Sequence, residues 1–228
     1  QVRGLDDLNP SYDPRLKDYR LARLRKLPGF EFSQVDISDR PSLTQAWGEQ
    51  VFEAVLNIAA RAGVRASVRS PWEYAQTNVL GLINILELCT QRGVAKFVQA
   101  STSSLYGANT PRPFQEDAPI GRPLSPYAAT KGGAELLTHA YHHLHGLDVS
   151  VLRYFTVYGP AGRPDMSIYR FIQWIAEDRP LRLHGDGQQE RDFTYVDDIA
   201  RGTIAALRPL GYEVINLGGD RPSKLVEA

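Results

Sequence analysis

Tyr127 and Lys131 stand four residues apart in a stretch, Pro126 to His145, whose pattern predicts a helix capped by Ser125. On a helix that spacing puts phenol and ammonium on one face, one turn apart. A phenol with a pKa of about 10 is a poor base at neutral pH, and a cation held beside it favours the phenolate. Such a pair can take a proton from an alcohol and return it. On an exposed helix the same two residues would be ordinary surface groups. The preceding segment argues for chemistry, because Phe97 to Gly107 reads as a strand running into the hydroxyl cluster Ser101 to Ser104. Four of the five histidines, His139, His142, His143 and His145, crowd the end of the predicted helix. No carboxylate or cysteine completes a ligand set there, so we read them as polar last-turn residues and expect no metal site.

The residues around this pair supply short apolar runs alternating with amphipathic segments, the pattern of a parallel sheet built through right-handed crossovers. Strands are predicted at Val2 to Asp6, Phe30 to Ile37, Val51 to Ile58, Lys96 to Ala100, Val149 to Tyr154, Leu181 to His184 and Tyr212 to Leu217. Helices are predicted at Arg15 to Leu27, from Ser42, from Pro71 to about Arg92 with Ser70 as its cap, at Ser167 to Glu177 and at Val196 to Leu207. After Gly159 the texture turns Gly/Pro-rich, which suggests a smaller lobe interleaved with the first. The 228 residues carry 43% hydrophobic and 23% charged side chains, which argues against disorder and a coiled coil. Twenty-six basic against 26 acidic residues leave no net field to favour nucleic acid or an anionic membrane. A single cysteine, Cys89, and no long apolar run point to a soluble, cytoplasmic protein. Trp47, Trp72 and Trp174 read as packing residues, since no basic stripe accompanies them.

Five ordered motifs are similar to the extended short-chain dehydrogenase/reductase family, and within it to the nucleotide-sugar epimerases. They are Leu5-Asp6-Asp7-Leu8-Asn9, Asn57-Ile58-Ala59-Ala60, the hydroxyl strand ending in Tyr106-Gly107, Ser125-Pro126-Tyr127-Ala128-Ala129-Thr130-Lys131, and Arg191 to Asp198. Leu152 to Pro160, Gly162 to Met166 and Asn9 to Lys17 look most like UDP-glucuronate 4-epimerases. The resemblance implies a doubly wound, Rossmann-type α/β fold with residues 1–158 as the NAD-binding domain. Residues 159–228 would belong to the substrate lobe, with 191–217 returning to the main domain.

By the same resemblance Tyr127 is the catalytic base, Lys131 its partner and a nicotinamide-ribose contact, and Thr102 the hydroxyl beside the sugar O4. Asp6 would take both ribose hydroxyls, which favours NAD over NADP. Asp36 and Ile37 would stand on the adenine side, Ala59 and Ala60 would let the chain approach the cofactor, and Tyr154 would join them. Asn78 and Arg191 would serve the UDP diphosphate. Arg163, Thr156, Ser103 and Ser104 would clamp the sugar carboxylate. Asp36 could instead be a plain cap before Ser38, Asn78 an exposed helix residue, and Arg191 a partner of Asp192 or Asp197. The implied reaction oxidises C4 to a ketone, with hydride passing to NAD+, and returns the hydride to the opposite face. The resemblance implies UDP-glucuronate going to UDP-galacturonate, and the alternatives are another UDP-sugar 4-epimerase, a related dehydratase or decarboxylase, or an inactive nucleotide-binding fragment. A dehydratase would carry Asp-Glu after Thr102, where Ser103-Ser104 stand. Asn57 replaces a common histidine and Arg61 a common glutamine. No glycine-rich phosphate loop is present, so the first strand and that loop are expected before Gln1, and further residues after Ala228. A UDP-sugar is the expected partner and a homodimer the expected assembly.

Overall fold

The computed structural model describes residues 1–183 and 185–227. The chain runs β1 (Val2–Asp6), α1 (Pro14–Leu24), β2 (Phe30–Gln34), α2 (Arg40–Trp47), β3 (Ala54–Asn57), α3 (Val64–Arg69) and α4 (Pro71–Ala75). A π turn (Gln76–Gly81) leads into α5 (Leu82–Gln91), β4 (Lys96–Thr102) and a 3₁₀ turn (Ser103–Tyr106). Then come α6 (Pro126–His145), β5 (Asp148–Tyr154), β6 (Thr156–Tyr158), α7 (Ser167–Ala176), β7 (Glu190–Tyr195), α8 (Val196–Ala205), β8 (Tyr212–Leu217) and β9 (Pro222–Lys224).

The largest sheet is fully parallel, in the order β3-β4-β5-β8. All seven residues of β4 are buried, as are five of the seven in β5, because helices cover both faces of a parallel sheet. The main core gathers Leu82, Leu86 and Cys89 of α5 with Phe97, Val149 and Val151 of the sheet. β1 and β2 pair in parallel only with each other, Val2 opposite Phe30. Among the described residues they share no ladder with the sheet of β3, β4, β5 and β8.

β6, β7 and β9 form a second, small sheet that the alternation of apolar runs did not reveal. β6 and β7 are parallel, while β7 and β9 are antiparallel. The chain thus leaves the main sheet after Tyr154 and comes back to it through α8 and β8. Leu181 to Leu183 form no strand, and His184 lies outside the described residues. The helix expected from Pro71 is not uniform: one wide π turn interrupts it, and Ser70 makes no side-chain cap hydrogen bond. Gly81 closes that turn where a Cβ would lie 2.7 Å from Ile37 Cγ1, so only glycine lets the helix pack this close to the end of β2. Among the described residues no helix is long and apolar enough to cross a membrane.

Candidate active site

Helix α6 is started by its own sequence. Ser125 Oγ accepts the Ala128 N–H at 3.1 Å and Pro126 occupies the first turn, which fixes Tyr127 at the helix entrance. Tyr127 is half-buried, with Tyr74 edge-on at 6.2 Å between ring centroids. Thr102, the last residue of β4, is buried with its hydroxyl beside the Tyr127 phenol. Burial pushes the Tyr127 phenol above its ordinary range, while the Thr102 hydroxyl and the Arg163 charge pull the other way. Lys131 is 3% exposed, and its Nζ donates to the Ala100 carbonyl at 2.7 Å. Burial lowers its pKa to about 8, against the opposing field of Glu135. The sequence suggested Lys131 as the cation beside the phenol. In this geometry the lysine is committed to the strand, and Arg163 is the cation that bears on Tyr127.

Two cavities open on the residues around this point, and Tyr127, Lys131 and Thr102 themselves line neither. One, of about 600 Å³, is lined by Asp6, Asp36, Ile37, Ala59 and Ala60 at the ends of β1, β2 and β3, and by Lys17, Arg61, Tyr74 and Arg163. The other, of about 730 Å³, is lined by Ser103, Ser104, Ser125, Thr156, Arg191, Phe114 and Asn216. Tyr74 belongs to the first wall and packs on Tyr127, whereas Ser125, two residues before Tyr127, belongs to the second.

The structure brings most of the expected residues together and separates a few. Asp36 lines the first cavity and also accepts from the Ser38 N–H at 2.8 Å, so it is both wall and local cap. Arg191 lines the second cavity and makes no ion pair with Asp192 or Asp197 among the described residues, its Nη1 resting on the Glu190 carbonyl. Arg163 lines the first cavity, apart from the hydroxyls of Ser103, Ser104 and Thr156, and is paired with Asp165 at 2.6 Å. Asn78 lines neither cavity, and it is not exposed either. The π turn aims its amide at the Arg61 backbone, where Oδ1 accepts at 2.8 Å and Nδ2 donates at 3.0 Å. A third bond to Thr130 ties it to α6, so Asn78 is a strut between the site's walls. Tyr154 also lines neither cavity: its hydroxyl pairs with Thr203 of α8 at 2.9 Å and its ring packs in the small core under β5. The histidines His139 and His142 pack around Tyr212, and no group of three or more His, Cys, Asp or Glu placed to hold a metal ion occurs among the described residues.

The first cavity suits a dinucleotide in its charges. The Asp6 carboxylate is half exposed at a parallel strand end, where ribose hydroxyls can donate to it. Lys17 is buried beneath it, 3.7 Å away, and Arg61 keeps a buried Nε without a partner at the same wall. Sequence reasoning missed Lys17, Tyr74 and Glu135. A carboxylate four residues after Lys131 on a helix already expected to face the sheet was the signal for the last of these.

A doubly wound sheet with a threonine at a strand end and a tyrosine and a lysine on the helix that follows defines a short-chain dehydrogenase-like protein. The chain belongs to the NAD dependent epimerase/dehydratase family, which it matches over residues 1–218. It is 59% identical over 220 residues to a UDP-glucuronate 4-epimerase of Thermodesulfobacterium geofontis, covering 96% of this chain and 68% of that one. A UDP-glucuronic acid 4-epimerase from Bacillus cereus, crystallised with UDP-glucuronic acid and NAD, superposes with a TM-score of 0.88 at 38% identity, over 99% of this chain and 71% of that one. A dTDP-glucose 4,6-dehydratase double mutant from Streptomyces venezuelae, crystallised with NAD, reaches 0.89 at 30% identity, over 100% and 69%.

Proposed function

We propose that this protein inverts C4 of UDP-glucuronate to give UDP-galacturonate through a 4-keto sugar, with NAD as a permanently bound redox partner. The observation that supports this most is the position of Tyr127, beside the Thr102 hydroxyl and between Tyr74 of one cavity wall and Ser125 of the other. Asp6 would hold the adenosine ribose, Asp36 and Ile37 the adenine side, and Ala59 and Ala60 the close approach of the backbone. Lys131 would hold the nicotinamide ribose. When bound, NAD accepts the C4 hydride and gives it back. Tyr127 takes the C4 hydroxyl proton, Thr102 shares it, and Tyr127 later returns it to the opposite epimer. Arg191 would hold the diphosphate in a fork of donors.

Ser103 and Ser104 stand where a dehydratase needs a carboxylic acid pair, which favours epimerisation over water loss. A 4-keto glucuronate is a β-keto acid and loses carbon dioxide once its carboxylate turns perpendicular to the ketone. Ser103, Ser104 and Thr156 of the second cavity would hold that carboxylate, with Arg163 reaching it from the first cavity in exchange for Asp165. Product analysis of Arg163→Ala tests this. The variant is expected to lose more activity on UDP-glucuronate than on UDP-glucose, by about 1.5–3 kcal/mol, and to release carbon dioxide and a 4-keto pentose. Equal losses on both sugars would remove Arg163 from the carboxylate and leave it only its field on Tyr127. A homodimer is our reading of the assembly, supported by exposed Val68, Trp72, Leu80 and Leu136 on α3, α4, the π turn and α6, which pack together.

A further inference from the structure

Two helical turns beyond Tyr127, α6 buries a charge that the reaction does not use. Glu135 and Arg153 of β5 form a bidentate ion pair, Nε to Oε1 at 3.0 Å and Nη2 to Oε2 at 2.8 Å, and each side chain is 4% exposed. Ser101 of β4 donates to the same carboxylate. A pair taken this far out of water is costly unless every remaining donor is used. Here the remaining guanidinium nitrogen is used across the sheet. Arg153 Nη1 donates to the Tyr106 hydroxyl at 2.9 Å and to the Glu116 carbonyl at 3.0 Å.

From there the network reaches the wall of the larger cavity. Tyr106 donates to Asn216 Oδ1 at 2.7 Å and its ring stacks on Phe114 at 4.4 Å. Asn216 in turn donates to the Phe114 carbonyl at 3.0 Å and to Glu116 Oε1 at 2.9 Å. Phe114, Glu116 and Asn216 line the cavity. The segment holding Phe114 and Glu116 belongs to no helix or strand, so these bonds stand in for the ladder it lacks.

We propose that Arg153 is a positioning residue for the substrate: anchored on Glu135, it holds the Phe114–Glu116 wall of the sugar-nucleotide cavity through Tyr106 and Asn216. The proposal rests on the reading of that cavity given above. Tyr106→Phe keeps the ring stack and removes the shared hydroxyl, so it tests the anchor without leaving a bare buried charge. Tyr212→Phe is the control, because it removes a hydroxyl from the other side of the same ion pair, bonded to the Glu135 carbonyl at 3.1 Å.

Backbone hydrogen exchange at residues 114–116 is expected to quicken by about tenfold in Tyr106→Phe and to stay unchanged in Tyr212→Phe. UDP binding by calorimetry is expected to weaken by about the same factor in Tyr106→Phe alone. KM for UDP-glucuronate should rise with it while kcat holds. Unchanged exchange, or both variants affected alike, would overturn the anchoring role even if UDP binds normally. A wild type that ignores UDP would overturn the cavity assignment and the proposal together.

Discussion

Tyr127 is pushed away from its working range by burial, and what draws it back is a hydroxyl from β4 and the charge of Arg163. Replacing it by phenylalanine removes only the proton-carrying oxygen. Tyr127→Phe is expected to lose at least about 100-fold in turnover with UDP-sugar binding nearly intact, and steady-state kinetics beside calorimetry would check both halves. Lys131 carries its own pH signature. Its folded pKa of about 8 lies below the ordinary 10.5, so its charged form is disfavoured in the fold. The penalty is fully present below pH 8 and is released as pH rises through 10.5, above which both states are neutral. Wild type should therefore gain stability against Lys131→Met over that window, by up to about 3 kcal/mol, in paired urea titrations at pH 7.5 and 10. A gap that stays constant with pH would mean the ammonium is better solvated than its burial suggests. The pairing of Tyr127 with Lys131 was legible from spacing alone. That Lys131 would bond the Ala100 carbonyl was not, because side-chain direction depends on what the helix packs against.

The π turn decides the geometry at the scale of elements. Apolar spacing foretold a helix from Pro71 to about Arg92, and Leu82, Leu86 and Cys89 are buried along it as that spacing requires. Period-3.6 reasoning cannot see an extra residue in one turn, so the reorientation of Asn78 onto Arg61 was invisible. The small sheet was hidden for a related reason: β6 and β9 have three residues each, too few to alternate visibly. Gly81→Ala probes the fit directly, since the added methyl meets Ile37 and is expected to cost about 1–3 kcal/mol. Thermal unfolding of Gly81→Ala with Ile37→Ala should show a smaller cost than the two single changes added together. Strict additivity would place the strain elsewhere.

The whole molecule holds two cavities whose walls each include a neighbour of one tyrosine, with buried polar struts from α6, β5 and the π turn beside them. The parallel sheet and the strand-end placement of Asp6, Asp36, Ala59 and Ala60 were readable because βα units put ligand contacts at strand ends. The place of Arg163 on the first cavity was not, since it depends on how the Gly/Pro-rich segment after Gly159 folds back. NAD is expected to bind more tightly than NADP, and Asp6→Asn to narrow that gap, because the carboxylate repels a 2′-phosphate. Parallel calorimetric titrations with the two dinucleotides would check it, and equal affinities in the wild type would remove Asp6 from the ribose site. The central claim is inversion at C4 by a hydride that never leaves the protein. Incubating the NAD-loaded protein with UDP-glucuronate deuterated at C4 and following the sugar by NMR tests it most directly. UDP-galacturonate retaining deuterium at C4, with no accumulation of NADH, is the expected result. Loss of the label to solvent, or no epimer formed, would contradict the account.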